Sequence, residues 1–219
     1  RGIAEGLAAS IAAGDLRVSD VEQIMHGTTV ATNAILEGKG AKVALITTEG
    51  FRDVLEIRRL RMPVLYDIRW RKPEPLVPRR LRFEIPERVD HLGAIERPLD
   101  EAAARAVIAR MLDQGIEAVA ICLLNAYANG IHERRLRDLI RALDSRVPIS
   151  ISSELLPEIK EYERSSTTVV NAYVMPIVRQ YLRRLEDELR ARSIAKKLTI
   201  MQSSGGAMSA SAAAERPIH

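Results

Sequence analysis

The 219-residue chain is 47% hydrophobic and 28% charged, and its formal net charge is +4. This composition excludes a disordered chain and predicts one large domain or two smaller ones. No apolar run reaches the roughly 18 residues that a membrane-spanning helix needs, and no secretory signal is visible, so we expect no membrane contact. The single Cys122 excludes an internal disulfide and a cysteine-cluster metal site. It fits a reducing compartment, and we expect a cytoplasmic protein.

The chain opens inside a predicted helix. Residues 2–13 place Ile3, Leu7 and Ile11 four apart, as one face of a helix requires, and no initiator methionine precedes them. At the other end the chain closes at His219, soon after a predicted strand. We therefore expect part of a larger protein, and trimming of a natural start is the alternative.

Two strands are predicted next, with a helix between them. A strand over 21–25 leads into His26-Gly27-Thr28-Thr29, and a helix over 30–37 follows, which Gly38 and Gly40 end. The apolar run at 42–47 is typical of a buried strand.

Residues 58–82 contain four prolines and many arginines. Proline excludes long regular elements here, so we expect an extended, arm-like insertion. The arginines could bind nucleic acid, but only Tyr66 and Trp70 could stack on bases. A solvated arm or a contact with a partner subunit explains them better, and we expect no nucleic-acid binding. An edge strand is predicted over 83–90, because Pro86 cannot donate to a ladder.

After residue 99, predicted helices and strands alternate. Asp100 is a good N-cap for a helix whose apolar stripe ends near Gly115. The elements predicted beyond it are a strand over 116–124, a helix over 136–143, a strand over 148–152, a helix over 158–192 with a kink or break at Pro176, and a strand over 197–202. This alternation predicts α/β architecture.

Two turns after strands are candidate ligand contacts. In the first, His26, Gly27, Thr28 and Thr29 enter a helix, with Asn33 one turn later. Backbone N–H groups and hydroxyls at such a helix start attract anions, so the turn could bind substrate or phosphate. The alternative is a capping turn in which Thr28 or Thr29 satisfies the helix and His26 is packed.

The second turn is Ser203-Ser204-Gly205-Gly206, after the last predicted strand. A glycine pair lets backbone approach a ligand closely, and the alternative is an ordinary turn with a left-handed residue. Neither a Walker A pattern nor GxGxxG is present. The four histidines lack metal-ligand spacing, so we predict no metal-binding residues in the chain and leave the catalytic residues unassigned.

A cluster of carboxylates, Glu158, Glu161 and Glu163, could do acid–base work. Their spacing to Lys160 and Arg164 favours a solvated helix face with ion pairs instead.

Several stretches together resemble the hydantoinase A/5-oxoprolinase family. They are, in the family order, HGTTVATNAILEGKGAKVALITTEGFRDVLEI (26–57), KPEPLVPR (72–79), ERVD (87–90), AVAICLLNAYANGIHERR (118–135), SSELLPEIKEYERSSTTVVNAYVMPIV (152–178) and IMQSSGGAMSASAAAERPI (200–218). The resemblance covers nearly the whole chain, and it is the order of the blocks that makes it specific.

The resemblance implies a fold similar to the actin-like ATPases, with lobes built on a ribonuclease-H-like α/β core. It implies an oligomeric enzyme that uses ATP and Mg²⁺ to activate an inert amide or carbonyl, completed by a hydantoinase B-like subunit or domain. Residues 1–165 would match the later part of the family's N-terminal domain, and residues from 166 would begin its main hydantoinase A domain. The family's two Asp-x-Gly-Gly-Thr phosphate loops have no counterpart in this chain, so we expect the chain alone not to hydrolyse ATP.

The function that the resemblance favours is ATP-dependent ring opening of a small cyclic amide of the hydantoin or 5-oxoproline type. An ATP-using subunit of an acetone- or acetophenone-type carboxylase is the alternative within the family. A binding or assembly module without catalysis is the alternative from another class.

Overall fold

A computed structural model describes residues 2–59, 64, 66–194 and 196–219. Over these residues the chain forms eight α-helices and nine β-strands. It divides into two compact units, Arg1–Gly40 with Val174–His219 and, between them in sequence, Ala41–Tyr173. None of the helices in the described part of the chain is long and apolar enough to cross a membrane.

The discontinuous first unit holds a three-stranded sheet. Its elements are α1 (Gly2–Ala13), β1 (Gln23–His26), α2 (Val30–Leu36), the second part of α7 (Glu161–Ala191), β8 (Lys197–Met201), β9 (Ala207–Ser209) and α8 (Ala210–Glu215). The order is β1-β8-β9, with β1 parallel and β9 antiparallel to the central β8. Leu198 and Ile200 of β8 pack in one hydrophobic cluster with Leu182 and Leu185 of α7, and Ile24 of β1 lies against it.

The second unit is built on a four-stranded parallel sheet. Its elements are β2 (Val43–Thr48), α3 (Val54–Ile57), β3 (Arg82–Ile85), β4 (Arg88–Val89), β5 (Ile95–Arg97), α4 (Glu101–Leu112), β6 (Ala118–Cys122), α5 (Ile131–Leu143), β7 (Ile149–Ile151), α6 (Ser152–Leu155) and the first part of α7. The order is β3-β2-β6-β7, all parallel. Every residue of β2 and β6 is buried, as strands covered on both faces require. The predicted α/β class is confirmed.

Prolines account for two differences from the sequence prediction. The strand predicted over 83–90 stops at Ile85, and after Pro86 the chain pairs β4 with β5 in a separate antiparallel ribbon. In contrast, α7 continues as one helix through Pro176, so of the predicted kink or break the break is wrong. Pro176 has no N–H to donate to the carbonyl four residues earlier in the helix. The next carbonyl along the chain, that of Tyr173, accepts from the backbone N–H of Ala41 at 2.9 Å.

Several arginines of the predicted arm have partners within the chain. The Arg59 guanidinium binds the Glu163 carboxylate through two bonds of 2.9 and 2.5 Å. Arg79 binds Asp53 in the same two-pronged way, and the buried Arg82 donates to the carbonyl of Val77 at 2.9 Å. Residues 60–63 and 65 of the arm lie outside the described residues. Glu163 is thus an ion-pair partner, but of Arg59 and not of the Arg164 that the spacing predicted, because Arg164 is buried and donates to the carbonyl of Leu123.

The carboxyl end of the four-stranded sheet is closed by buried polar side chains. Glu133, fully buried, accepts from Leu123 N (2.9 Å), Ser152 Oγ (2.6 Å) and Ser153 N (2.8 Å). The buried Arg164 donates to the carbonyl of Leu123 and to Ser152 Oγ. Burial raises the pKa of Glu133, and these hydrogen bonds oppose the shift.

A second buried chain of hydrogen bonds lies at the same edge. The Thr48 hydroxyl donates to Glu87 and accepts from Leu124 N at 2.9 Å, and His132 Nδ1 lies 2.7 Å from Glu87 Oε2. Because these side chains are hydrogen-bonded to one another, they occupy this end of the sheet.

We expect Glu133→Gln to destabilise the protein. The amide would place an N–H₂ group against one or more of the donors that Glu133 now accepts from, which costs about 1–3 kcal/mol. Glu154→Gln is the matched control, because Glu154 pairs with Arg137 at the surface and such a pair contributes at most about 1 kcal/mol. Urea denaturation of both variants measures the difference, and equal stabilities would contradict this account of the sheet edge.

Candidate functional site

The two turns selected from the sequence leave the same edge of the three-stranded sheet. In the parallel register of β1 with β8, His26 pairs with Ile200. The residues that follow each strand, 27–29 and 202–206, therefore emerge side by side at the carboxyl ends of the two strands. Ligands of open α/β sheets bind at this end of parallel strands. We take this edge of the sheet as the candidate site.

The first turn combines hydrogen bonds within the turn with free hydroxyl hydrogens, and Thr29, the N-cap residue of α2, makes no side-chain cap. Thr28 Oγ1 accepts from Val30 N at 3.3 Å, and Thr29 Oγ1 accepts from Asn33 Nδ2 at 3.4 Å. Each hydroxyl therefore uses a lone pair within the turn and retains its hydrogen for another acceptor. Because α2 has only seven residues, we attribute its ligand-binding potential to these side chains and not to a helix dipole.

The side chain of His26 is hydrogen-bonded to a tyrosine. Its Nε2 lies 2.6 Å from the hydroxyl of Tyr181 on α7, and the two ring centroids are 5.8 Å apart. Burial lowers the pKa of His26 below its usual value, so the imidazole is neutral at neutral pH. His26 is thus packed, as the capping interpretation predicted, and it lies at the end of the sheet where the two turns meet.

The second turn is the loop of a β-hairpin between β8 and β9. Gln202 N donates to the carbonyl of Gly206 at 2.8 Å, and Gly205 N donates to the carbonyl of Gln202 at 3.0 Å. Gly205 has φ of 86°, so a left-handed residue is required there, as the ordinary-turn interpretation predicted. Ser203 and Ser204 are exposed at the tip of the loop.

The site offers hydrogen-bond donors without formal charge. Hydroxyls of Thr28, Thr29, Ser203 and Ser204, the amide of Asn33 and a neutral imidazole suit an oxygen ligand such as a carbonyl or a phosphate edge. Over the residues that the structure describes, no group of three or more His, Cys, Asp or Glu side chains could hold a metal ion. The donor set therefore fits an ATP phosphate or a substrate carbonyl but does not fit Mg²⁺.

The sequence analysis missed Tyr181 and the buried polar residues of the other unit. Tyr181 falls on the apolar stripe of α7, where a tyrosine is indistinguishable from a core residue. Glu87 follows β3 and Glu133 lies in the first turn of α5, positions that sequence alone assigns to the surface, because carboxylates are seldom fully buried. The buried glutamates could only have been found through the spatial pairing of strand ends.

Comparison with known proteins supports the α/β class of the fold and identifies its family. The crystal structure of the ATP-dependent caprolactamase from Pseudomonas jessenii superposes with a TM-score of 0.82 at 36% identity, over 93% of this chain and 30% of that one. A nucleotide-free structure of acetone carboxylase superposes with a TM-score of 0.81 at 27% identity, over 94% of this chain and 32% of that one.

The family model for the hydantoinase/oxoprolinase N-terminal region matches residues 1–143, and the hydantoinase/oxoprolinase model matches residues 164–219. The chain belongs to the hydantoinase/oxoprolinase family.

Curated relatives are much longer than this chain. An uncharacterized protein of Methanocaldococcus jannaschii is 44% identical over 89% of the chain and 29% of its own length. The caprolactamase subunit alpha of P. jessenii is 38% identical over 86% of the chain and 27% of its own length. The 5-oxoprolinase 1 of Arabidopsis thaliana is 31% identical over 85% of the chain and 16% of its own length. The chain thus spans less than a third of each.

We expect Gly27→Ala and Gly205→Ala to differ in their effect on stability. A Cβ at Gly27 would meet no atom within 4 Å and its φ is not positive, so we expect a change within about 0.5 kcal/mol. Alanine at Gly205, with φ of +86°, should cost about 1–2 kcal/mol. Chemical denaturation measures both, and a large loss at Gly27 would show that the fold itself requires this glycine.

Proposed function

We propose that this chain is part of an ATP-dependent amidohydrolase that opens a small cyclic amide. Its family and a relative named as a caprolactamase support this, since a caprolactam is a cyclic amide. The observation that carries the proposal is the meeting of the two turns at one strand edge, which gathers uncharged hydrogen-bond donors. Such a set can bind the oxygen of an amide or of a phosphate without adding a charge of its own.

The chemistry requires activation of an inert carbonyl. ATP supplies it by phosphorylating the amide oxygen, which turns that oxygen into a leaving group. The proposed role of this chain is to hold and orient oxygen atoms: Thr28 and Thr29 donate through their hydroxyls, and Gly27, where a Cβ would meet no atom within 4 Å, leaves room for a ligand to approach the backbone. Asn33 lies one turn further on and keeps Thr29 oriented.

A carboxylase remains the second candidate, because the acetone carboxylase structure superposes almost as well as the caprolactamase. A ketone and an amide share the carbonyl oxygen that this donor set would bind.

A non-catalytic assembly module is the third candidate function. The name of the caprolactamase as a subunit alpha supports a multi-subunit assembly, and we propose a hydantoinase B-like partner. The domain boundary near residue 165, the cytoplasmic location and the use of Mg²⁺ stay predictions.

The test is ATP turnover by the full-length protein, co-expressed with its hydantoinase B-like partner. Hydantoin, 5-oxoproline and caprolactam are assayed beside acetone with bicarbonate. Stimulation by a cyclic amide supports the proposed function, and stimulation only by the ketone with bicarbonate supports the carboxylase. If none of them stimulates turnover, the assembly module is the better account.

Replacing both Thr28 and Thr29 by Val in the full-length enzyme should lower kcat/KM about 100-fold, the effect of losing one or two donors to a developing negative charge. The loss of their hydrogen bonds within the turn should cost about 1 kcal/mol of stability at most at each position. Thr32→Val is the matched control, since Thr32 is exposed on the same helix. Steady-state kinetics separate the two, and full activity in the double variant would refute the assignment.

A further inference from the structure

His26 and Tyr181 form a polar pair whose outer side is open. Within the described residues, the bond of 2.6 Å between His26 Nε2 and the Tyr181 hydroxyl is the one hydrogen bond that either side chain makes. The imidazole is part-buried, and among the described residues its Nδ1 has no hydrogen-bond partner and is not a fully buried atom. Tyr181 also packs on the hydrophobic cluster of the first unit, which fixes the position of its hydroxyl.

We propose that Tyr181 is a positioning residue that holds His26 as the neutral Nδ1–H tautomer, so that the imidazole presents an N–H donor to a ligand oxygen at the strand edge. The tautomer is inferred from the hydrogen-bond partners that the two side chains have. The role toward a ligand rests on the proposed function.

The direction of the hydrogen bond follows from the partners available. A phenol is a donor at neutral pH, and no other described group accepts the Tyr181 hydrogen. If His26 donated from Nε2, the Tyr181 hydrogen would have no acceptor in the protein beside the hydrophobic cluster. When Tyr181 donates, both polar atoms of the contact are satisfied and the histidine proton moves to Nδ1.

A neutral donor suits this edge better than a cation or a base. The surrounding donors are uncharged hydroxyls and amides, and a histidine locked by tyrosine adds one more N–H of the same kind. Its Nε2 lone pair is already occupied, so the ring does not serve as a general base through that atom. Tyr181, which lies outside the turn, would thereby make His26 a hydrogen-bond donor and not a general base.

Nitrogen NMR of the isotope-labelled 219-residue chain tests the tautomer directly. Imidazole two-bond correlation spectra distinguish protonated from unprotonated ring nitrogens, and His26→Gln assigns the signal among the four histidines. We expect a protonated Nδ1 and an unprotonated, hydrogen-bonded Nε2 in the unmodified chain. Tyr181→Phe should shift the population toward Nε2–H by about two- to tenfold, the range of a single neutral hydrogen bond.

Tyr162→Phe is the matched control, another conservative change on α7, and should leave the His26 signals unchanged. Thermal unfolding checks that both variants are folded. A protonated Nε2 in the unmodified chain, or an identical His26 spectrum in Tyr181→Phe, would overturn the proposal.

Kinetics of the full-length enzyme test the positioning role. With a stimulating cyclic amide, His26→Gln should lower kcat/KM about 100-fold and Tyr181→Phe about two- to tenfold. The double variant should match His26→Gln alone, because Tyr181 acts through His26. Effects that multiply would show that Tyr181 acts independently. If no cyclic amide stimulates turnover, the proposed function fails, while the NMR result still decides the tautomer.

Discussion

The parallel pairing of β1 with β8 is the interaction on which the candidate site depends. It joins residues that are more than 170 positions apart, Gln23 with Lys197 and His26 with Ile200. The pairing fixes where both strands end, and it therefore places the two turns that follow them next to each other. A slip of one residue would turn away from the hydrophobic cluster either Ile24 of β1 or Leu198 and Ile200 of β8, so burial of these side chains protects the register of the site.

The carboxyl ends of the parallel strands have different surroundings in the two sheets. At the four-stranded sheet, Glu87, Glu133 and Arg164 are buried and bond to strand ends and to neighbouring side chains, so the edge is occupied by the protein. At the three-stranded sheet, Ser203, Ser204 and Thr29 are exposed, and hydroxyl hydrogens remain available. Polar groups that are mutually satisfied stabilise, whereas polar groups held in place with capacity left over can bind. This contrast, more than the residue types, distinguishes the candidate site from the buried network.

Much of the fold could be predicted from local signals. Asp100 caps α4 by accepting from Ala103 N, and the buried β2 and β6 match the apolar runs that predicted them. The failures have local physical causes as well: Pro86 ended a strand that was predicted to continue, and α7 continues through Pro176, where a kink or a break was predicted. The glycines and hydroxyls of both turns were visible in the sequence. Their proximity was not, because it arises from strand pairing across most of the chain. Tyr181 was missed for the same reason, since only the packed structure brings its hydroxyl to His26.

Under the proposed function, the uncharged donor set would suit more than one reaction. A lactam and a ketone both present a carbonyl oxygen, and activation of either places negative charge on oxygen. Uncharged donors at a strand edge stabilise that charge without specifying what attacks the carbon or what leaves it. The choice between water and bicarbonate as reactant must then be made by groups that contact the carbon and its substituents. Under the proposed function, the identity of the substrate must therefore be set by residues other than these two turns.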